Sequence, residues 1–444
     1  MLRHRWLRLF AVISILALIV AACGGDDDDD DGDASDEPTE TTTGDDDGEE
    51  PSGDIPEGDG VFKVGSLLPE TGTLSFLGPP MIQAVRMAIQ EINDAGGVLG
   101  ADVEHNQQDD GTSPDVAGPA ADTLLADGVD IIVGAAASGV TLSVIDKITG
   151  TPVVECSPSN TGLQFTTYDD GGYYFRTAPP DNLQAKVLTD LVIEDSFENI
   201  ALIARSDEYG EGFINAMKDE LEAAGATINP SDPILYDPEG DNFTAEVQQI
   251  ADAAPDAVVM ISFEEGATVV QNAIAAGIGP QDVQWYGADG IQSSSFGEAV
   301  DPSNPGIVAG LRGTAPSAAP ADGEATFRDR FAAFAPDVDT IYSGHAYDCV
   351  IVAALAAIAA GNDSPQAIQS EMINVTKDGE KCTLFADCVA LLEDGTDIDY
   401  DGAAGPLDFI DAGEPGAGAY DRWQFADDAS VEVLEESIPV AGDD

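Results

Sequence analysis

Apolar positions fall into two alternating patterns over most of the chain. Short β-branched runs at 61–68, 103–107, 129–133 and 151–155 read as strands of a buried parallel sheet. Between them, apolar residues recur three and four apart, as on one face of a helix. Met81, Val85, Ala88, Ile89 and Ile92 make such a stripe behind Pro79 and Pro80, and Gly96-Gly97 closes it. A helix is likewise predicted over 117–126. Val140, Val144 and Ile148 form a third stripe, which Gly150 ends. Strand and helix in strict alternation, with short links, predict a doubly wound parallel sheet.

The series restarts after Thr161. Asp181 stands where a helix cap is expected, with Gln184 at the third helical position. Strands are predicted at 200–204, 257–262 and 283–286, with a helix over 213–224. The stretch 306–315 reads as a second passage between two bodies, helices at 323–335 and 342–360 as a return to the first, and 398–409 as a third passage. The fold class is therefore α/β: two doubly wound lobes joined by three crossings.

Chemistry concentrates where strands end. The runs 129–133 and 151–155 break into two loops of small residues, GAAASG at 134–139 and CSPSNT at 156–161. Neighbouring parallel strands set such loops side by side at their carboxyl ends, where backbone N–H groups and hydroxyls accept an anion. Catalytic constellations are thin: three His, one of them His4, and no HxxxH, CxxC or nucleophile elbow. The expectation is a binding protein, not an enzyme, with no cofactor. Asp397, Asp399, Asp401, Gly402 and Asp408 have the spacing of a calcium loop. Asp replaces the usual bidentate Glu, however, no amphipathic helix enters, and Pro406 interrupts the exit, so no metal is expected. Cys382 and Cys388, six apart, suit a small-loop disulfide in an exported chain, whereas Cys156 and Cys349 fit buried thiols as well as a bridge.

Composition narrows the partners. The chain has 444 residues, 43% of them hydrophobic, enough for two lobes with cores of their own. Its net charge of −68, from 16 basic and 84 acidic residues, excludes nucleic acid and anionic membrane surfaces as partners. The first segment carries Arg3, Arg5 and Arg8, then an apolar run at 9–22, then Val20-Ala21-Ala22-Cys23. It resembles a bacterial lipoprotein signal, which implies removal of 1–22 and acylation of Cys23. Residues 23–60, with six consecutive Asp, are too acidic and too poor in apolar side chains to fold, and read as a tether.

The motifs INDAGGVLG, VGAAASGVTLSV, SPSNT, FRTAPPDNLQA, DEYGEGF, ISFEEG, YGADG and IDYDGAAGPLDF follow one another from Ile92 to Phe409. In order and spacing they resemble the branched-chain amino-acid-binding proteins of ABC importers, which have the type I periplasmic-binding fold. The resemblance implies a first lobe from 61–177 and 316–400, and a second from 178–315 and 401–438. It implies a monomer, anchored by lipid outside the cytoplasm, that closes by a hinge over a small solute and delivers it to a permease and ATPase. A receptor lipoprotein of the same fold, acting in signalling, is the alternative. By the same resemblance Ser138, Gly139, Asn160 and Thr161 surround the ligand carboxylate, the Ser159 carbonyl and Asp289 hold its ammonium, and Tyr209, Phe263 and Leu77 meet its remainder. This chain departs from the family in having Leu77 where leucine binders have an aromatic, Asp289 for the common Glu, and Asp110 and Ala137 near the positions of paired cysteines. Glu264 and Glu265 are expected to add acid near the side-chain pocket.

Overall fold

The computed structural model describes residues 55–317 and 327–442. The signal segment, Cys23 and most of the tether lie outside the described residues, as does the start of the helix expected from 323. The last part of the expected tether, 55–60, lies on the fold. Asn362 accepts the Gly58 N–H through Oδ1 (2.9 Å) and donates to the Pro56 carbonyl (2.8 Å).

The first sheet is built from β1 (Lys63–Leu68), β2 (Glu104–Asp109), β3 (Ile131–Gly134), β4 (Val154–Ser157) and β5 (Tyr174–Arg176), all parallel in the order β2-β1-β3-β4-β5. Its intervening helices are α1 (Gly78–Asp94), α2 (Pro114–Asp127) and α3 (Ser138–Thr149). Pro79 and Pro80 sit in the first turn of α1, where their missing N–H groups cost nothing. Chain order reverses between β1 and β3, so the loops leaving their carboxyl ends diverge and open a crevice.

The second sheet holds β6 (Asn199–Arg205), β7 (Thr227–Ile228), β8 (Ile234–Tyr236), β9 (Ala257–Ile261), β10 (Gln284–Gly287) and β11 (Arg312–Pro316). The order β11-β10-β9-β6-β7, with β8 also beside β6, is parallel and reverses between β6 and β9. Helices α4 (Asp181–Glu194), α5 (Glu208–Ala223), α6 (Thr244–Ala253), α7 (Gly266–Ala276) and α8 (Phe296–Val300) belong to this half. Because β11 pairs with β10, residues 312–316 belong to the second sheet, and 306–315 is not the second passage.

After α9 (Phe327–Phe334) comes α10 (Ser343–Ala360), which packs against α1 and β3, then α11 (Pro365–Glu371) and α12 (Phe385–Glu393). A small sheet of β12 (Glu380–Cys382), β13 (Ile398–Gly402) and β14 (Gly405–Pro406) keeps the chain with these elements. Residues 401–409 therefore do not start the second lobe. Buried Asp348 of α10 accepts the N–H groups of Ala403 (2.7 Å) and Ala404 (2.9 Å), and the Gly413 carbonyl accepts the Arg176 N–H (2.9 Å). The chain reaches the second sheet only at β15 (Ala417–Phe425), which runs antiparallel to β11 and to β16 (Val431–Ala441).

Among the described residues two disulfides are present, Cys156–Cys349 and Cys382–Cys388. The first joins β4 to α10 and the second joins β12 to α12.

Candidate functional site

The carboxyl ends of both parallel sheets converge on one small cavity. Leu74, Leu77, Ala136, Ala137, Ser138, Ser159 and Tyr342 line it from the first lobe's elements, and Tyr209, Phe263 and Asp289 from the second's. Of the residues singled out in the sequence, Ser138, Ser159, Leu77, Tyr209, Phe263 and Asp289 are thus brought together. Its free space is about 10 Å³, room for roughly one water, so any larger solute requires the lobes to part.

The first-lobe wall is made of loops held rigidly by their own polar groups. Ser138 and Gly139 open α3, so their N–H groups have no acceptor within the helix. Buried Asp110 accepts the Ala136 N–H (3.1 Å) and the Thr112 N–H (2.7 Å), and burial pushes its carboxyl up to about 7. Hydrogen bonds to Asp110 therefore fix this loop. Asn160 does not reach the cavity. Its amide donates to the carbonyls of Ala135 (3.2 Å) and Ala136 (2.8 Å), and its Oδ1 accepts the Tyr174 hydroxyl (2.9 Å), so it ties the two loops together. Gly139 is also off the cavity wall: a Cβ there would stand 2.9 Å from Glu208 Oε2. Thr161 is buried behind the wall, and its carbonyl accepts the Asp181 N–H (2.8 Å).

The second-lobe wall centres on Asp289, at the end of β10. Its carboxylate accepts Tyr342 Oη (2.9 Å), Gln184 Nε2 (3.1 Å) and Tyr209 Oη (3.2 Å). Tyr342 caps α10, so its bond to Asp289 links the two halves. Burial raises the Asp289 carboxyl above its ordinary range, and the three donors pull it back. Tyr209 stacks on Phe263 with ring centroids 5.1 Å apart, and the Arg205 guanidinium lies 3.7 Å from the Phe263 centroid. Glu265 does not add free acid to the pocket, because it pairs with Arg205 (2.8 Å) and accepts the Tyr236 hydroxyl (3.0 Å).

Three members of this site escaped the sequence reading. Tyr342 precedes an apolar helix and has no motif of its own. Gln184 and Asp181 were expected to form a helix cap, yet Pro180 is the cap and Asp181 is the first helical residue. Asp181 is fully buried, neither of its carboxyl oxygens has a hydrogen-bond partner, and Thr161 stands beside it outside good bonding geometry. Burial, then the neighbouring Asp289, hold its carboxyl well above the usual range.

The periplasmic binding protein family model matches residues 61–412, most of the chain. The chain belongs to this family. As a periplasmic binding protein it has the type I fold of two α/β lobes, and membership implies a place outside the cytoplasm. It is 29% identical over 384 residues to the chemotactic signal transduction system substrate-binding protein BasB of Halobacterium salinarum, covering 84% of this chain and 88% of that protein. It is also 29% identical over 319 residues to Leu/Ile/Val-binding protein homolog 1 of Brucella suis, covering 70% and 81%. The leucine binding protein LivK of Thermotoga maritima superposes with a TM-score of 0.70 at 17% identity, over 86% of this chain and 99% of that one, which shows the shared fold. The family and these relatives are solute binders.

Proposed function

We propose that this periplasmic binding protein takes up an amino acid, branched-chain or related, between its lobes and presents it in the closed form to an ABC permease and ATPase. The observation that carries the reading is Asp289, a buried carboxylate at the second lobe's strand ends, facing the Ser138 and Ser159 loops of the first lobe. Donors on one wall and an acid on the other suit the two ends of an α-amino acid. Ser138 and the N–H groups opening α3 receive the carboxylate, while Asp289 and the Ser159 carbonyl receive the ammonium. Leu74, Leu77, Tyr209 and Phe263 surround the remainder. Each charge-assisted bond contributes about 1.5–3 kcal/mol, so about four such bonds support micromolar binding after the cost of association.

Opening separates Tyr342 from Asp289, and the ligand ammonium takes over that acceptor when the lobes close. In Asp289→Ala the ammonium is left without its charged partner in a desolvated cleft. Calorimetry with the best ligand from a screen of amino acids, small amides and aromatic acids should show affinity falling about 30- to 1,000-fold, or about 2–4 kcal/mol. Binding as tight as wild type, or a best ligand without an amino group, would overturn the amino-acid reading.

A sensory role is the second reading. It is favoured by the 29% identity to BasB, whose name places it in a chemotactic signalling system. The binding chemistry is common to both readings. They differ in whether the closed lobes are read by a permease or by a signalling partner, and pull-down of the ligand-loaded protein with each separates them.

A further inference from the structure

Strand order in the second sheet reverses between β6 and β9, so the loops leaving these two strands diverge, as they do where α/β sheets bind ligands. Here the chain bridges them with a cation of its own. Arg205, the last residue of β6, is buried, and its guanidinium reaches both loops. Its Nε donates to Asp207 Oδ2 (2.7 Å), at the cap of α5, and its Nη1 donates to Glu265 Oε1 (2.8 Å), just before α7. Each acid is fixed in turn. Asp207 Oδ1 accepts the Gly210 N–H (2.9 Å), while Glu265 Oε1 also accepts the Phe263 N–H (3.2 Å) and the Tyr236 hydroxyl (3.0 Å). Gly210 makes room for this arrangement, since a Cβ there would stand 2.5 Å from Arg205 Cγ.

The two bridged loops carry the aromatic residues of the cleft. Tyr209 lies in the first turn of α5, Phe263 follows the end of β9, and both line the cavity. The Arg205 guanidinium carbon is 3.7 Å from the Phe263 ring centroid, close enough for strong cation–π attraction. The Tyr209 ring stacks on Phe263 at 5.1 Å with the planes 22° apart. A guanidinium and a phenol ring do not fit on one face of a phenyl ring at those distances, so Phe263 is held between them. The Tyr209 hydroxyl then reaches Asp289 (3.2 Å). Arg205 does not itself line the cavity, yet it is the outer layer of a stack that ends on the acid of the cleft.

Resting on the amino-acid reading above for its ligand, we propose that Arg205 is a positioning residue that sets selectivity for the ligand's side chain. It acts through Phe263 and Tyr209. By tying the loop before α5 to the loop before α7 and packing flat on Phe263, it fixes the wall that meets the side chain, while the ligand's carboxylate is held by the other lobe. Only a planar guanidinium donates in two directions and stacks with its face at once, whereas a Lys ammonium is a point charge with no flat face. A large side chain leans on this wall and depends on Arg205, and a small one does not.

Arg205→Lys is the test, because it keeps a positive charge between Asp207 and Glu265 and loses the fork and the stack. Calorimetric titration of leucine and of alanine into the full chain should show leucine binding weakened about tenfold and alanine binding by less than about twofold. Equal loss for the two amino acids, or no loss for either, overturns the proposal. Hydrogen exchange of wild type and Arg205→Lys without added ligand gives a second readout. Amides of 206–212 and 263–267 should exchange faster together in the variant, with β3 and α3 unchanged. Exchange that is unaltered, or that rises throughout the chain, overturns the positioning role. If neither amino acid binds the wild type, the amino-acid reading falls, and exchange still decides whether Arg205 positions the wall.

Discussion

Arg176 and Glu414 show what a buried charge requires. Both side chains are nearly inaccessible, and the pair joins the end of β5 to the approach to β15, two of the passages between the lobes. The guanidinium spends its remaining donors on the Asn160 and Gly162 carbonyls, so the same residue steadies the loop that carries Ser159. Removing one partner leaves the other charged in the interior, which costs about 3–5 kcal/mol. Glu414→Ala should lower stability in denaturant titration by about that amount, with weaker ligand binding as a second consequence. A loss below about 1 kcal/mol would show that water relieves Arg176. The family resemblance pointed to Ser138, Ser159 and Asp289, which sit in loops at strand ends, and all three line the cavity. It misplaced Asn160, whose amide has equally good acceptors in the next loop, and it overlooked Tyr342, whose role depends on a partner 53 positions away.

The alternation of strand and helix made most elements of both parallel sheets legible, since burial on both faces enforces long apolar runs. The β15–β16 hairpin was not legible in the same way. β16 is largely exposed and rich in acids, and it pairs with β15, which in turn pairs with β11, more than 100 residues earlier. α10 is apolar enough in composition to cross a membrane, yet Ser343 to Ala357 are all buried against the neighbouring elements. The Cys156–Cys349 bridge fastens this helix to β4, and thereby fixes the Tyr342 end of α10 relative to the Ser157–Thr161 loop. It closes 193 residues of chain, whereas Cys382–Cys388 closes 6. Loop-closure entropy then makes the first worth about 5 kcal/mol and the second about 2, as upper figures. Paired Cys→Ala variants compared by denaturant titration should rank in that order, and equal losses would assign the stabilisation to local packing instead.

For the whole molecule, the charge of −68 acts at longer range than any contact in the cleft. A purely anionic solute approaches against that field, whereas a zwitterion has no net charge and needs only the local donors and acids of the two walls. Lipid anchoring at Cys23 is a proposal that rests on the N-terminal residues alone. Intact-mass analysis of protein extracted from membranes should show a chain starting at Cys23 with acyl groups attached. An unlipidated chain that retains Met1 would count against it.

The placement of residues 55–60 bears on how such an anchored molecule would work. Asn362, at the end of α10, grips Pro56 and Gly58, so the leash is fastened to the first lobe. From Cys23 to Ile55 the chain spans at most about 120 Å when fully extended. Any pull from a lipid anchor at Cys23 would therefore be taken by the lobe that carries Ser138 and Ser159. The lobe carrying Asp289 would bear none of that load. It is free to swing, in the way a gate swings when only its post is tied to the ground.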